Sequence, residues 1–165
     1  IERSHMNDQS PVGNRPTLAL LDLTKMTGHQ LGALYELFPP GEIPDGDSHG
    51  KAIILPGTWL GGLLSAIANF VWGGKVFDRA RLRLVNKIFG LHLVHAKVSK
   101  GTSWSDGRDA VIIDYWKTSL VAFFIRDEIR QVEPGLYLGR AYIRLPFGKH
   151  FSALFFALDF RNNLS

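Results

Sequence analysis

Few side chains of this chain are of the kinds that do chemistry, and their spacing limits what they can do. Asp114 lies in Val111-Ile112-Ile113-Asp114-Tyr115-Trp116, and Asp159 lies in Phe155-Phe156-Ala157-Leu158-Asp159-Phe160. A carboxylate among such neighbours is costly to bury unless it is paired. Turned into a cavity, it becomes a candidate general acid or base. Asp114, beside the phenol of Tyr115, is therefore the first catalytic candidate. Strand alternation sends the two to opposite faces unless a bulge re-aims one of them. The plainer expectation is that both aspartates face outward or pair with Arg140 or Arg144 across a sheet face. Arg126-Asp127-Glu128-Ile129-Arg130 alternates in sign, with Arg126 and Arg130 at helical spacing, which predicts a solvated, self-paired surface.

Other chemistries find little support. His92 and His95 are three apart, so on a strand they face opposite sides and cannot share a metal. No His-Glu-x-x-His or comparable spacing occurs and the chain has no cysteine, so no metal site is expected. Ser65, Ser99, Ser103, Ser105, Ser119 and Ser152 lack a Gly-x-Ser-x-Gly setting, and Gly61-Gly62 and Gly73-Gly74 are too sparse for a phosphate-cradling loop. No cofactor is expected, although one axial histidine to a haem would leave no sequence pattern.

The elements that must position these groups come from a chain of 165 residues, 45% hydrophobic and 21% charged. That is long enough for one core and far from the composition of a disordered chain. The net charge of +4 is carried by scattered positions (Arg79, Arg81, Arg83, then Arg126, Arg130, Arg140, Arg144 and Lys149). No dense basic run with interleaved aromatics occurs, so a nucleic-acid partner is not expected. Residues 1–6 read as an expression-vector remnant and 7–16 as a disordered lead-in, leaving 17–165 as a single domain. A leader removed ahead of Met6 would leave no trace. The expected protein is soluble, and its compartment stays open between the cytoplasm and the periplasm or beyond.

Leu18 to Leu23 form an apolar run of undecided type. Leu31, Leu34, Tyr35, Leu37 and Phe38 recur at helical spacing until Pro39-Pro40 stops them, and 41–50 reads as a loop. Residues 52–74 carry no charge, but Pro56, Gly57 and a helical part of only about 15 residues, or ~22 Å, argue against a membrane span. The expectation is a strand over 52–55 and a buried helix over 58–72, with peripheral membrane contact kept as a possibility. Segments 75–78, 82–89, 91–99, 110–116, 136–145 and 153–160 are strand candidates. Asp106-Gly107 is a hairpin signal, and 119–132 suits helix or strand. Helices followed by a meander predict an α+β chain, mainly antiparallel β, whose edges are best hidden by closure into a barrel or strongly curved sheet.

Gly57-Thr58-Trp59-Leu60-Gly61, following Phe38-Pro39-Pro40 and preceding Trp72-Gly73-Gly74-Lys75-Val76-Phe77, resembles the GXWXG family of small bacterial proteins over about residues 31–89. The resemblance implies a lipocalin-like (calycin) barrel in which Trp59 plugs one end, with a smaller share as a ligand contact. It also implies a late arginine, here Arg161, packed over that Trp. The functional expectation is binding of a small hydrophobic or aromatic molecule in the barrel. Alternation places Val94, Val98, Val111, Ile113, Tyr115, Tyr137, Ile143, Phe156 and Leu158 inside. The alternatives are a cofactor-independent isomerase, cyclase or lyase using a buried carboxylate, and a membrane-peripheral or structural protein.

Overall fold

Thr27 opens the longer of two N-terminal helices through a capping box: Thr27 Oγ1 accepts from the Gln30 N–H and Gln30 Oε1 accepts from the Thr27 N–H. The computed structural model describes residues 17–53, 72–88, 91–120 and 122–161. Helix α1 (Leu20–Lys25) decides the ambiguous first apolar run, and α2 (Gly28–Leu37) ends before Pro39-Pro40 as predicted. Nine strands follow: β1 (Gly46–Asp47), β2 (His49–Ile53), β3 (Trp72–Asp78), β4 (Arg83–Ile88), β5 (Leu91–Thr102), β6 (Asp109–Asp114), β7 (Ile125–Glu133), β8 (Leu136–Arg144) and β9 (His150–Asp159).

Every pairing is antiparallel, and the strand order is β1-β3-β4-β5-β6-β7-β8-β9-β2. Only Ser48 separates β1 from β2, yet they sit at opposite ends of that order. The sheet therefore curls round into a nearly closed barrel. Its seam is stitched by Ser48, whose N–H and hydroxyl both donate to the Lys75 carbonyl (3.1 and 2.7 Å) while its Oγ accepts from the Lys75 N–H (3.0 Å). Gly74 has φ +114°, and a Cβ there would collide with the Ser48 carbonyl. Glycine at this position lets the seam close and fixes Lys75 against it.

Two apolar clusters lie on the two faces of the sheet. The inner one runs from Phe77 and Leu84 through Val98, Val111, Ile113 and Ile129 to Phe156 and Leu158. The outer one seats α1 and α2, through Leu23, Leu31 and Tyr35, on Val132, Leu136, Leu138, Phe155 and Ala157.

The structure differs from the sequence expectations in several places. The stretch expected as a loop contributes β1 and the start of β2. The ambiguous segment 119–132 supplies strand β7 from Ile125 onward. Trp72 belongs to β3, and the rest of the expected apolar helix, with Trp59, Ile54 and Leu55, lies outside the described residues, as does Phe89. No helix among the described residues is long and apolar enough to cross a membrane.

Candidate functional site

Strand β7 carries charge to both faces of the barrel wall and buries it on both. Alternation turns Asp127 inward and Glu128 and Arg130 outward, each at most 4% exposed. This corrects the reading of 126–130 as a solvated helical surface.

On the outer face Glu128 accepts from Ser103 Oγ (2.5 Å), the Trp104 N–H (2.8 Å), Tyr35 Oη (3.3 Å) and Arg126 Nε (3.1 Å). Arg130 forks onto Asp106 with two 2.7 Å bonds and donates to the carbonyls of Tyr35 and Asp109. Those Arg130 hydrogen bonds hold the Asp106 carboxyl far below the usual carboxylate range. Burial, reinforced by Glu128, pushes the Tyr35 phenol well up. Every partner beyond β7 itself belongs to α2 or to the β5–β6 hairpin, so this cluster fastens those elements to the barrel.

On the inner face four polar side chains from separate strands converge. Lys75 (β3) donates to Asn86 Oδ1 on β4 (2.7 Å) and to Tyr115 Oη just after β6 (2.6 Å), and forms an ion pair with Asp127 Oδ2 on β7 (2.9 Å). Asn86 Nδ2 donates to Tyr115 Oη (2.8 Å), which donates in turn to Asp127 Oδ2 (3.1 Å). The three N–H bonds of Lys75 are thus matched, and the Tyr115 hydroxyl accepts two hydrogen bonds and donates one. Asp127 Oδ1 has no partner among the described residues. Burial, and then the Asp127 charge, pushes the Tyr115 phenol well above its ordinary value, so it stays a neutral hydroxyl across the physiological range.

An aromatic floor supports the tetrad. Phe156 lies across Gly139, its partner in the β8–β9 register, and a Cβ at 139 would collide with the ring. Lys75 Nζ stands 5.4 Å from the Phe156 ring centroid and 5.3 Å from that of Tyr115, within cation–π range. Tyr137, with its phenol pushed up to about 12 by burial, donates to the Glu42 carbonyl (2.8 Å).

Of the residues expected inside, Val98, Val111, Ile113, Tyr115, Tyr137, Phe156 and Leu158 belong to the inner cluster, and Val94 packs against it. Ile143 is half-buried and is not part of that cluster. Asp114 lies on the other face from Tyr115, paired with Arg144 (2.8 Å) and accepting from the Trp116 N–H (2.8 Å). Asp159 pairs with Arg161 (2.5 Å) rather than with Arg140 or Arg144, because Arg161 follows it by two residues at the end of β9. Arg161 also donates to the Leu18 carbonyl, tying the last strand to the start of α1. Trp59, the expected plug, lies outside the described residues. Among the described residues no three metal-ligating side chains cluster.

The barrel is similar to one solved structure, a crystal structure of a protein from Thermomonospora curvata. That match covers 81% of this chain and 87% of the other, with a TM-score of 0.54 and 20% identity. The likeness is one of fold. No family model and no curated relative matches the chain.

Lys75, Asn86 and Asp127 were not singled out by sequence as a site. A signal for Lys75 existed: it stands two residues before Phe77, in phase with an inward apolar position, and follows the glycine of the seam. Asn86 likewise stands two residues after inward Leu84.

Proposed function

We propose that this chain binds a small hydrophobic or aromatic molecule in a lipocalin-like barrel, its one polar end held by the Lys75–Asn86–Tyr115–Asp127 tetrad. The observation that carries the reading is an ion pair with four-way hydrogen bonding set in an otherwise apolar inner cluster. Such a pair contributes little to stability compared with apolar side chains of equal volume, whereas an apolar pocket with a few convergent polar groups is the ordinary form of a small-molecule site. The open valence is Asp127 Oδ1, an acceptor. The matching ligand group is a hydrogen-bond donor such as a phenol or alcohol, rather than a carboxylate.

A second reading follows from the same atom. A carboxylate oxygen beside a neutral phenol suits proton transfer on a bound hydrophobic substrate, and in that case Asp127 is the acid or base in place of Asp114.

The test compares 1-naphthol with 1-methoxynaphthalene, which has nearly the same shape and no donor, by tryptophan fluorescence titration and native mass spectrometry. The reading expects 1-naphthol to bind about tenfold tighter, as one hydrogen bond to a charged group would give. Failure of both compounds to bind contradicts it.

A further inference from the structure

Three turns stand out on the barrel. The β3–β4 turn (79–82), the β6–β7 connection (115–124) and the β8–β9 turn (145–149) hold six of the large apolar side chains that face solvent: Leu82, Trp116, Leu120, Phe123, Leu145 and Phe147. Leu120 is 97% exposed and Phe147 99%. The same turns contain every non-glycine residue with positive φ among the described residues, namely Leu82 (+52°), Lys117 (+66°) and Phe147 (+62°). Bulky side chains in the left-handed region are unfavourable, and strain of this kind collects at functional surfaces.

The β6–β7 connection lies beside each of the other two turns. Arg81, Leu82, Arg83, His95 and Lys97 line a single cleft with Thr118 of the β6–β7 connection. At the other side the Arg144 N–H donates to the Phe124 carbonyl (2.7 Å) and its guanidinium to the Phe123 carbonyl (3.2 Å), which holds the start of the β8–β9 turn against that connection.

This surface carries an excess of positive charge, with Asp78 and Asp114 at its edges paired to Arg81 and Arg144. Residues 79–83, 95–97, 115–124 and 145–150 include Arg79, Arg81, Arg83, Lys97, Lys117 and Lys149 and not one of the 15 Asp and Glu of the chain. Arg81 pairs with Asp78 at the margin, while Arg83, Lys97, Lys117 and Lys149 have no carboxylate within ion-pair distance among the described residues.

We propose that this surface docks the barrel on an anionic lipid bilayer, with Trp116, Leu120, Phe123 and Phe147 entering the headgroup region and the unpaired lysines and arginines meeting lipid phosphates. Exposed aromatics and leucines rimmed by cations are the combination that binds an anionic interface. A second copy of the chain fits less well, because a two-fold contact would set unpaired cations against their own kind. A nucleic acid fits less well too, since Leu82, Leu120 and Leu145 offer a nucleotide neither stacking nor hydrogen bonds. The inference does not depend on whether the barrel interior takes a ligand.

The experiment is co-sedimentation with vesicles of phosphatidylcholine alone and of phosphatidylcholine with about 30 mol% phosphatidylglycerol. The intact chain is expected on the anionic vesicles and released from them by high salt. Leu120→Ser with Phe147→Ser, and separately Lys117→Glu with Lys149→Glu, are each expected to lower the bound fraction about tenfold or more. Because these side chains are solvent-facing, unchanged denaturation midpoints certify folded variants. Absence of binding to either vesicle overturns the proposal, as does binding that both double variants retain. A dimer dispersed by the same substitutions overturns it in favour of a second copy, and retention of a single-stranded oligonucleotide overturns it in favour of nucleic acid.

Discussion

Asp127 and Glu128 are neighbours in the chain and belong to two different designs. Glu128 faces outward into a network in which each carboxylate oxygen has a partner and every partner is borne by α2, β7 or the β5–β6 turn. Asp127 faces inward into a network of four side chains from separate strands and keeps one carboxylate oxygen without a partner among the described residues. The closed network fastens elements together. The open one is where the proposed ligand would bind. Burial alone therefore does not separate a structural charge from a functional one.

The comparison breaks first at Arg130, which is 1% exposed. Arg130→Ala leaves Asp106 without its fork and should cost about 3–5 kcal/mol, the usual result of removing one partner of a buried pair. A denaturant midpoint within error of the parent would mean that the outer network is not structural. Next comes Gly139→Ala, whose methyl group must displace the Phe156 ring beneath Lys75. The expected cost is about 1–3 kcal/mol, together with weaker 1-naphthol binding, read by chemical denaturation and fluorescence titration.

Acid should act on the outer network and on the Asp159–Arg161 pair at the end of β9. The folded-state carboxyls of Asp106 and Asp159 are held below their unfolded values by Arg130 and Arg161. Their contribution is therefore complete above the unfolded carboxylate range near about 4 and is lost as pH falls through the lower folded-state values. Asp106→Asn should flatten the acid limb of stability against pH. An unchanged slope would remove Asp106 from the account. The smallest effect is expected at Phe147, where Phe147→Gly relieves a positive φ and should raise stability by up to about 1 kcal/mol while weakening adsorption to anionic vesicles.

The fold was largely legible where one face of a strand is polar. Val94, Ala96 and Val98 on β5 alternate with His95 and Lys97, and the structure puts the apolar set inside. Legibility failed where both faces are buried. Four successive residues of β6 are buried, Ala110 to Ile113, so the apolar neighbours of Asp114 did not reveal which side it faces, and it faces out. On β7, residues 126–130 looked like a helical charge stripe because Arg126 and Arg130 are four apart. They form a strand whose outer face is covered by α2 and the β5–β6 turn, partners distant in sequence. The cations at 81–83, 97 and 117 read as scattered for the same reason, since only the fold brings residues 81–83 and 97 into one cleft with Thr118, the chain neighbour of Lys117.

The central claim is that the inner tetrad is kept for a ligand and not for the fold. It is tested most directly by replacing its ion pair outright, Lys75→Met with Asp127→Leu, and measuring the denaturation midpoint and 1-naphthol affinity on the same preparation. The account predicts a midpoint equal to or above the parent's, as buried pairs exchanged for apolar volume commonly give, with affinity lowered about tenfold or more. A stability lowered by several kcal/mol with affinity intact would contradict it and make the tetrad a structural network like its neighbour on the outer face.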